Sequence, residues 1–268
     1  MLIIGEKINA TSKRIAEAIS QRNVSFLQEL AYQQVNAGAH YLDVNAGRGQ
    51  GSEQEVEDLK WAIDTVQAAT DVPLAIDSSD PGAIKAALTH YRGNAAIINS
   101  VYAEERKLAA LLPLALEHRS CYPQPDMDDN GVPKDVDGRL RACERILERA
   151  VAYRVPLERI FLDPLALPLS VDTELGMVTL RTLEQIKVRW PEAKTTLGLS
   201  NASYGLPLRS VINQALLIMA MYVGLDSVIL DPLDARLMTN IKAAQVVLGR
   251  DPLCKGYLKD YRKGRIKE

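Results

Sequence analysis

Carboxylates, carboxamides and hydroxyls recur at matched places in this sequence: Glu6 and Asn9, Asp43 and Asn45, Asp77 and Ser78, Asn99 and Ser100, Asp163, Ser200 and Asn201, and Asp231. Each group stands at or near the end of a short apolar run. Taken singly, such a residue is as often a helix cap or a turn residue as a functional one, and Asp231, followed by Pro232, fits that reading. Taken together, they supply a polar group from almost every run. A site rich in Asp and Asn and poor in His and Lys suits a neutral, nitrogen-rich heterocycle better than a phosphate or a metal ion. A carboxylate can accept two adjacent N–H donors of an aminopyrimidinone at once, and Asn offers a paired donor and acceptor to the opposite edge. On residue types alone, a pterin-like ring is one candidate among several heterocycles.

Other chemistries have less support. His40, His90 and His118 do not lie at the C-terminal end of an apolar run, so neither a histidine base nor a histidine metal site is expected. Cys121, Cys143 and Cys254 are odd in number and far apart, without zinc or disulfide spacing, and read as reduced thiols. The stretch NAGRGQG at 45–51 has glycines but neither the Lys-Ser/Thr of a P-loop nor a full dinucleotide fingerprint. It reads as a rim loop with a weak anion-binding option at Arg48.

The elements that must carry these residues alternate. Seven apolar runs, at 2–8, 40–46, 73–78, 95–101, 160–164, 195–202 and 227–232, are short, apolar on both faces and polar at their ends. That is the pattern of parallel strands covered by helices. Between them lie helix signals. Ser25 with Gln28 predicts a capping box ahead of Leu27, Leu30, Ala31 and Val35, and Gly38 predicts the stop. Ser52 with Glu55 repeats the box, and Asp80 with Pro81 predicts a third start. Later helices are expected at 104–117, 137–154, 172–188, 208–222 and 235–247.

Eight helices and seven strands leave one vacancy, in EHRSCYPQPDMDDNGVPKD at 117–135, where Pro123 and Pro125 argue against a central strand. A distorted fifth strand would complete a (β/α)8 TIM barrel; its absence would leave the sheet open. The barrel is the expected fold, as one domain over 1–268, with the strand-end residues converging on one rim.

With 268 residues, of which 47% are hydrophobic, the chain can bury a large core. A net charge of -2 gives no general attraction to nucleic acid or an anionic membrane. The basic tail from Lys255 to Lys267 reads as a solvated terminal helix or frayed end. MLIIGEKINA is too short in apolar residues for a signal core, and no run approaches the roughly 20 residues of a membrane span. A cytoplasmic protein is expected.

The segments MLIIGEKINA, GAHYLDVNAG, PLAIDSSDPGAIKAAL, AAIINSV, DDNGVPKD, IFLDPL, TLGLSNASYGLP and LLIMAMYVGLDSVILDP, in this order, closely resemble the pterin-binding methyltransferases. That family includes methyltetrahydrofolate:corrinoid protein methyltransferases and the folate module of cobalamin-dependent methionine synthase. The resemblance implies a TIM barrel, commonly a homodimer, that acts on tetrahydrofolate or 5-methyltetrahydrofolate. It implies that Asp77, Asn99 and Asp163 hold the pterin and that Asn201 hydrogen-bonds N5, the atom that carries the methyl group. Asp43, Asn45, Glu6 and Ser200 would form the surrounding network, and Tyr204 and Arg209 would contact the folate.

A tertiary amine is a poor leaving group, so N5 needs a proton or a strong hydrogen bond as its methyl departs. Asn201 cannot supply the proton; it would stabilise the N5 cation in the transition state, with a water network on Asp43 and Asn45 as the proton route. The sequence has no DxHxxG segment to ligate a corrinoid, so cobalamin is expected on a partner protein.

RSCYPQPD departs from the apolar fifth strand of the family, while MDDNGVPKD resumes its register. The alternatives are a dihydropteroate synthase-like enzyme or a non-catalytic folate-binding subunit of a corrinoid complex. The first needs basic residues for pyrophosphate, and SNASYG at 200–205 holds no Lys or Arg.

Overall fold

The computed structural model describes residues 1–47, 53–93, 95–124 and 132–266. Eight parallel strands follow in chain order: β1 (Leu2–Asn9), β2 (Tyr41–Asn45), β3 (Leu74–Asp77), β4 (Ala96–Tyr102), β5 (Arg119–Gln124), β6 (Phe161–Leu162), β7 (Lys194–Thr195) and β8 (Ser227–Leu230). Helices α1 (Lys13–Ser20) and α2 (Val24–Ala37) lie between β1 and β2. The other connections carry α3 (Glu53–Gln67), α4 (Pro81–His90), α5 (Glu105–His118), α6 (Val136–Ala152), α7 (Leu175–Arg189) and α8 (Arg209–Tyr222). Helices α9 (Ala235–Val247) and α10 (Lys255–Arg262) follow β8. No helix among the described residues is long and apolar enough to cross a membrane.

The sheet curls without closing. Six strands pair in the order β5-β4-β3-β2-β1-β8, β6 pairs with β7, and a single bridge from Gly198 to Ile229 joins the pieces on one side. Among the described residues no ladder joins β5 to β6. The continuous eight-stranded barrel expected from the sequence is therefore corrected to an open, curled sheet of alternating β and α elements.

The fifth strand does form. Its ladder with β4 shifts register between Asn99 and Val101, and Val101 then faces Pro123, which has no N–H to donate. Proline is tolerated there because β5 is an edge of the ladder. On the other side β6 ends after two residues, and Leu165 takes a left-handed conformation at φ 66°. β6 thus offers β5 no run long enough to pair with. Pro125 and Asp126 lie outside the described residues.

Caps follow the sequence in part. Asp80 accepts from Gly82 N with Pro81 in the first turn, and Gly38 ends α2 at φ 111°. The cap of α2 is Asn23, which accepts from Phe26 N; Ser25, expected there, donates instead to Asn23. Ser52 lies outside the described residues.

Strand alternation divides the core. Leu42, Val44, Leu74, Ile76 and Ile98 pack outward against the helices, while Ile4, Ala75, Ile97, Phe161 and Ile229 form a separate apolar floor inside the curl. The inward residues one step further along the strands are the polar ones.

Candidate pterin site at the strand ends

Register decides how deep each polar residue sits. Asn45 pairs level with Asp77, and Asp77 with Asn99, which makes a row across β2, β3 and β4. Asp43 lies two residues earlier, level with Ala75 and the apolar floor, and is only 2% exposed. The row is cross-linked. Asn45 Nδ2 donates to Asp77 Oδ2 at 2.9 Å, and Asn99 Nδ2 reaches past β3 to donate to Asp43 Oδ1 at 2.9 Å. Above this floor is a cavity of about 400 Å3, walled also by Glu6, Asn9, Ser200 and Asn201.

Four carboxylates, Glu6, Asp43, Glu55 and Asp77, share this space, and burial raises the pKa of Glu6, Asp43 and Asp77. Burial pushes Asp77 up to about 6, against the amide of Asn45, with Glu55 adding to the rise. Asp43 is raised well above the usual carboxylate range by burial and by the charge of Asp77, with Asn99 opposing. Glu6 is raised by burial, offset by a hydrogen bond from Ser200 Oγ at 2.6 Å. The cavity is thus an acceptor-rich pocket whose buried carboxyl groups are held above the usual carboxylate range.

Asp163 follows β6 and is buried. Its Oδ1 accepts from Leu165 N at 2.8 Å, and its Oδ2 lies 3.4 Å from Gly198 N after β7. The left-handed turn at Leu165 is held from behind by Arg139 of α6, whose Nη1 donates to the carbonyls of Pro164 and Leu165, each at 2.7 Å. A β-carbon on Gly198 would stand 3.3 Å from the amide nitrogen of Asn201 and 3.9 Å from Asp163 Oδ2. Glycine there lets the Asn201 amide approach the strand end beside Asp163.

The structure brings Glu6, Asp43, Asn45, Asp77, Asn99, Ser200 and Asn201 around one cavity, while Asp163 lies against Gly198 and is not among the residues that wall it. Arg209 folds back so that its guanidinium donates to Ser200 O at 2.7 Å and Ser203 Oγ at 3.0 Å; it borders the adjoining cavity instead. Tyr204 is 67% exposed and walls neither cavity. Asp231 makes a turn with Leu233 N and an ion pair with Lys7 at 2.8 Å. His40 accepts from Ile3 N, and His90 pairs with Asp64; neither faces the site. Arg48 lies outside the described residues.

Two participants went unread in the sequence. Glu55, predicted only as part of a cap, is buried on α3, accepts from Ser78 Oγ and walls the cavity. Arg139 is fully buried, although its helix reads as an ordinary amphipathic surface helix. The available signal was its place in GRLRACERIL, where Arg139 precedes Ala142, Cys143 and Ile146 by three, four and seven residues and so shares their buried face.

Residues 5–231 match the family described as pterin binding enzyme. Over 268 residues the chain is 36% identical to the methylcorrinoid:tetrahydrofolate methyltransferase of Eubacterium limosum, spanning 99% of this chain and 98% of that one. It is 30% identical over 245 residues to methionine synthase of Mycobacterium tuberculosis, spanning 85% of this chain and 20% of that protein. Among solved structures, dihydropteroate synthase from Xanthomonas albilineans superposes with a TM-score of 0.70 at 18% identity, covering 94% of this chain and 93% of the other. That likeness shows the fold. A family match that runs from β1 to the end of β8, around an acidic pocket at the ends of parallel strands, places this chain among the pterin-binding enzymes.

Proposed function

We propose that this chain is a methyltransferase that moves a methyl group between N5 of tetrahydrofolate and the cobalt of a corrinoid carried by another protein. The observation that carries the reading is the division of the cavity: carboxylates and paired amides form its floor, and a carboxamide with no acid–base chemistry, Asn201, stands on its wall. A pterin inserted with its pyrimidine edge downward meets Asp77, Asn99 and Asp163. Its N5 then faces Asn201. The full-length likeness to a methylcorrinoid:tetrahydrofolate methyltransferase supports the same chemistry.

In this reading Asp77 and Asp163 accept ring N–H and amino donors, and Asn99 holds the opposite edge. The donors of the ring favour ionised Asp77, so binding is expected to lower its pKa from about 6. Asn201 accepts or donates at N5 and stabilises the charge that develops there. Asp43 and Asn45 anchor the water route by which a proton reaches or leaves N5, and Glu6 with Ser200 closes the network at the rim. The corrinoid, when presented, supplies the cobalt that takes or gives the methyl group. When the folate is the acceptor, as in the name of the Eubacterium relative, N5 forms the new bond with its lone pair and its proton leaves through the same groups.

Incubation with methylcobalamin and tetrahydrofolate, or with cob(I)alamin and 5-methyltetrahydrofolate, tests the reading by the visible spectrum of cobalt. Conversion between the two cobalt states is expected. A spectrum that stays constant in both directions, with folate bound, would reduce the chain to a binding subunit.

The same reading makes the chain one domain and a cytoplasmic homodimer. Val211, Ile218, Met219 and Tyr222 lie exposed along one stripe of α8, spaced as successive turns of one helix face, and suit a self-complementary contact. Sedimentation of wild type and Ile218→Glu checks this: the variant is expected to run as a monomer.

A further inference from the structure

Beside the pterin cavity lies a second, larger one of about 740 Å3, between the end of β1, the start of α1 and the exposed flank of α2. The two share Glu6, Asn9, Thr11, Ser200 and Asn201 as a common wall. Beyond that wall the second cavity changes character. Phe26, one of two phenylalanines in the chain, forms part of it half-buried, and the guanidinium of Arg14 lies over the Phe26 ring at 4.7 Å from its centroid. Arg14 is exposed and forms no ion pair among the described residues. The other cations of the cavity are committed, Lys7 to Asp231 and Arg209 to Ser200 O and Ser203. The acid Glu29 is tied to Gln33 by a 2.7 Å hydrogen bond.

We infer that this second cavity takes the p-aminobenzoyl-glutamate arm of the folate, with Phe26 against the benzoyl ring and Arg14 on a glutamate carboxylate. The inference rests on the pterin reading above, because it uses where N5 lies. In tetrahydrofolate the arm leaves from C6, the carbon bonded to N5. If Asn201 meets N5, the arm starts at Asn201, and Asn201 belongs to the wall between the cavities. The only chemistry an arm of this kind needs is an aromatic surface followed by a cation. Phe26 and Arg14, stacked on one another in this cavity, supply both, in a volume within the roughly 300–1,000 Å3 of small-molecule sites. A guanidinium stacked on an aromatic face keeps its edge donors free for a carboxylate.

The arm therefore adds affinity that a bare pterin lacks, and its removal should cancel the effect of Arg14 and Phe26. Binding of tetrahydrofolate and of 6-methyltetrahydropterin, which has no arm, is measured by anaerobic titration to wild type, Arg14→Gln and Phe26→Leu. Both side chains lie at the surface or half-buried, so each variant is expected to fold, and a melting curve verifies it. Each variant is expected to bind tetrahydrofolate roughly five- to tenfold more weakly while binding 6-methyltetrahydropterin as wild type does. Wild-type affinity for tetrahydrofolate in both variants would overturn the arm site. So would a variant that binds folate normally but loses transfer with a protein-borne corrinoid, since the cavity would then be a docking face. Failure of wild type to bind either ligand would instead overturn the pterin reading on which the site rests.

Discussion

The side-chain amide of Asn99 on β4 donates to Asp43 Oδ1 on β2 at 2.9 Å, across the intervening strand. A residue whose place suits ring recognition thus also holds the carboxyl group proposed to manage the N5 proton. Asn99 lowers an Asp43 pKa that burial and Asp77 raise. Asn99→Ala removes the only opposing influence among these causes. The acid limb of the pH–rate profile is expected to move to higher pH, together with weaker folate binding. An unchanged limb in kcat/KM against pH would separate Asp43 from proton transfer.

Asp77 gives a prediction with opposite signs for stability and binding. Its folded-state pKa of about 6 lies above the ordinary value of 3.8, so the folded protein holds this proton more tightly than the unfolded chain. The contribution to stability is fully present below about pH 4 and is lost as pH rises through about 6. Asp77→Asn has no such proton to lose. Without ligand, its stability relative to wild type should grow from little at pH 4 to on the order of 3 kcal/mol above pH 7. Urea denaturation across that range measures the difference. Pterin affinity should fall in the same variant, because an amide cannot accept both ring donors.

Asn201→Ala should depress turnover far more than affinity. Loss of one preorganised hydrogen bond to developing charge costs about 100-fold in rate. The folate Kd is expected to stay within about threefold. Single-turnover kinetics beside equilibrium titration make the comparison, and equal effects on both would count against a transition-state role.

Arg139 holds the Asp163 loop from inside the protein. Arg139→Met leaves the carbonyl of Pro164 without its side-chain donor in a buried place and that of Leu165 with Thr179 Oγ1 alone. A loss of roughly 2–4 kcal/mol is expected, seen as a lower melting temperature. Folate affinity should drop with it, since Leu165 N orients Asp163. Arg139→Lys should recover only part of either, because an ammonium lacks the planar fork. Full folate affinity in a destabilised Arg139→Met would confine Arg139 to a packing role.

The sequence by itself determined the alternation of strands and helices and the polar character of the rim. Strands buried on both faces must be apolar throughout, and the polar residues that end them are then conspicuous, as in YLDVN and AIINS. Helix stops at Gly38 and starts at Asp80 were equally legible, because φ above zero and an N-terminal acceptor depend on one or two residues. Tertiary structure decided what pairing decides. A proline at 123 argues against a strand until β5 is seen at the edge of a ladder, where a missing donor is tolerated. Helix α1 has no side-chain cap hydrogen bond and spans eight residues, too little local signal to find.

Depth in the site was decided the same way. Asp43, Asn45, Asp77 and Asn99 have equivalent places in the sequence, yet the register sets Asp43 one layer below the other three and drives its protonation. Glu55 and Arg139 came into view only when α3 and α6 packed against the sheet, and Arg14 met Phe26 only when α1 lay on α2. Periodicity is a local property that each segment carries in its own residues. Register and helix docking join segments far apart in the chain, and one residue's difference in either moves a side chain to another layer or another face.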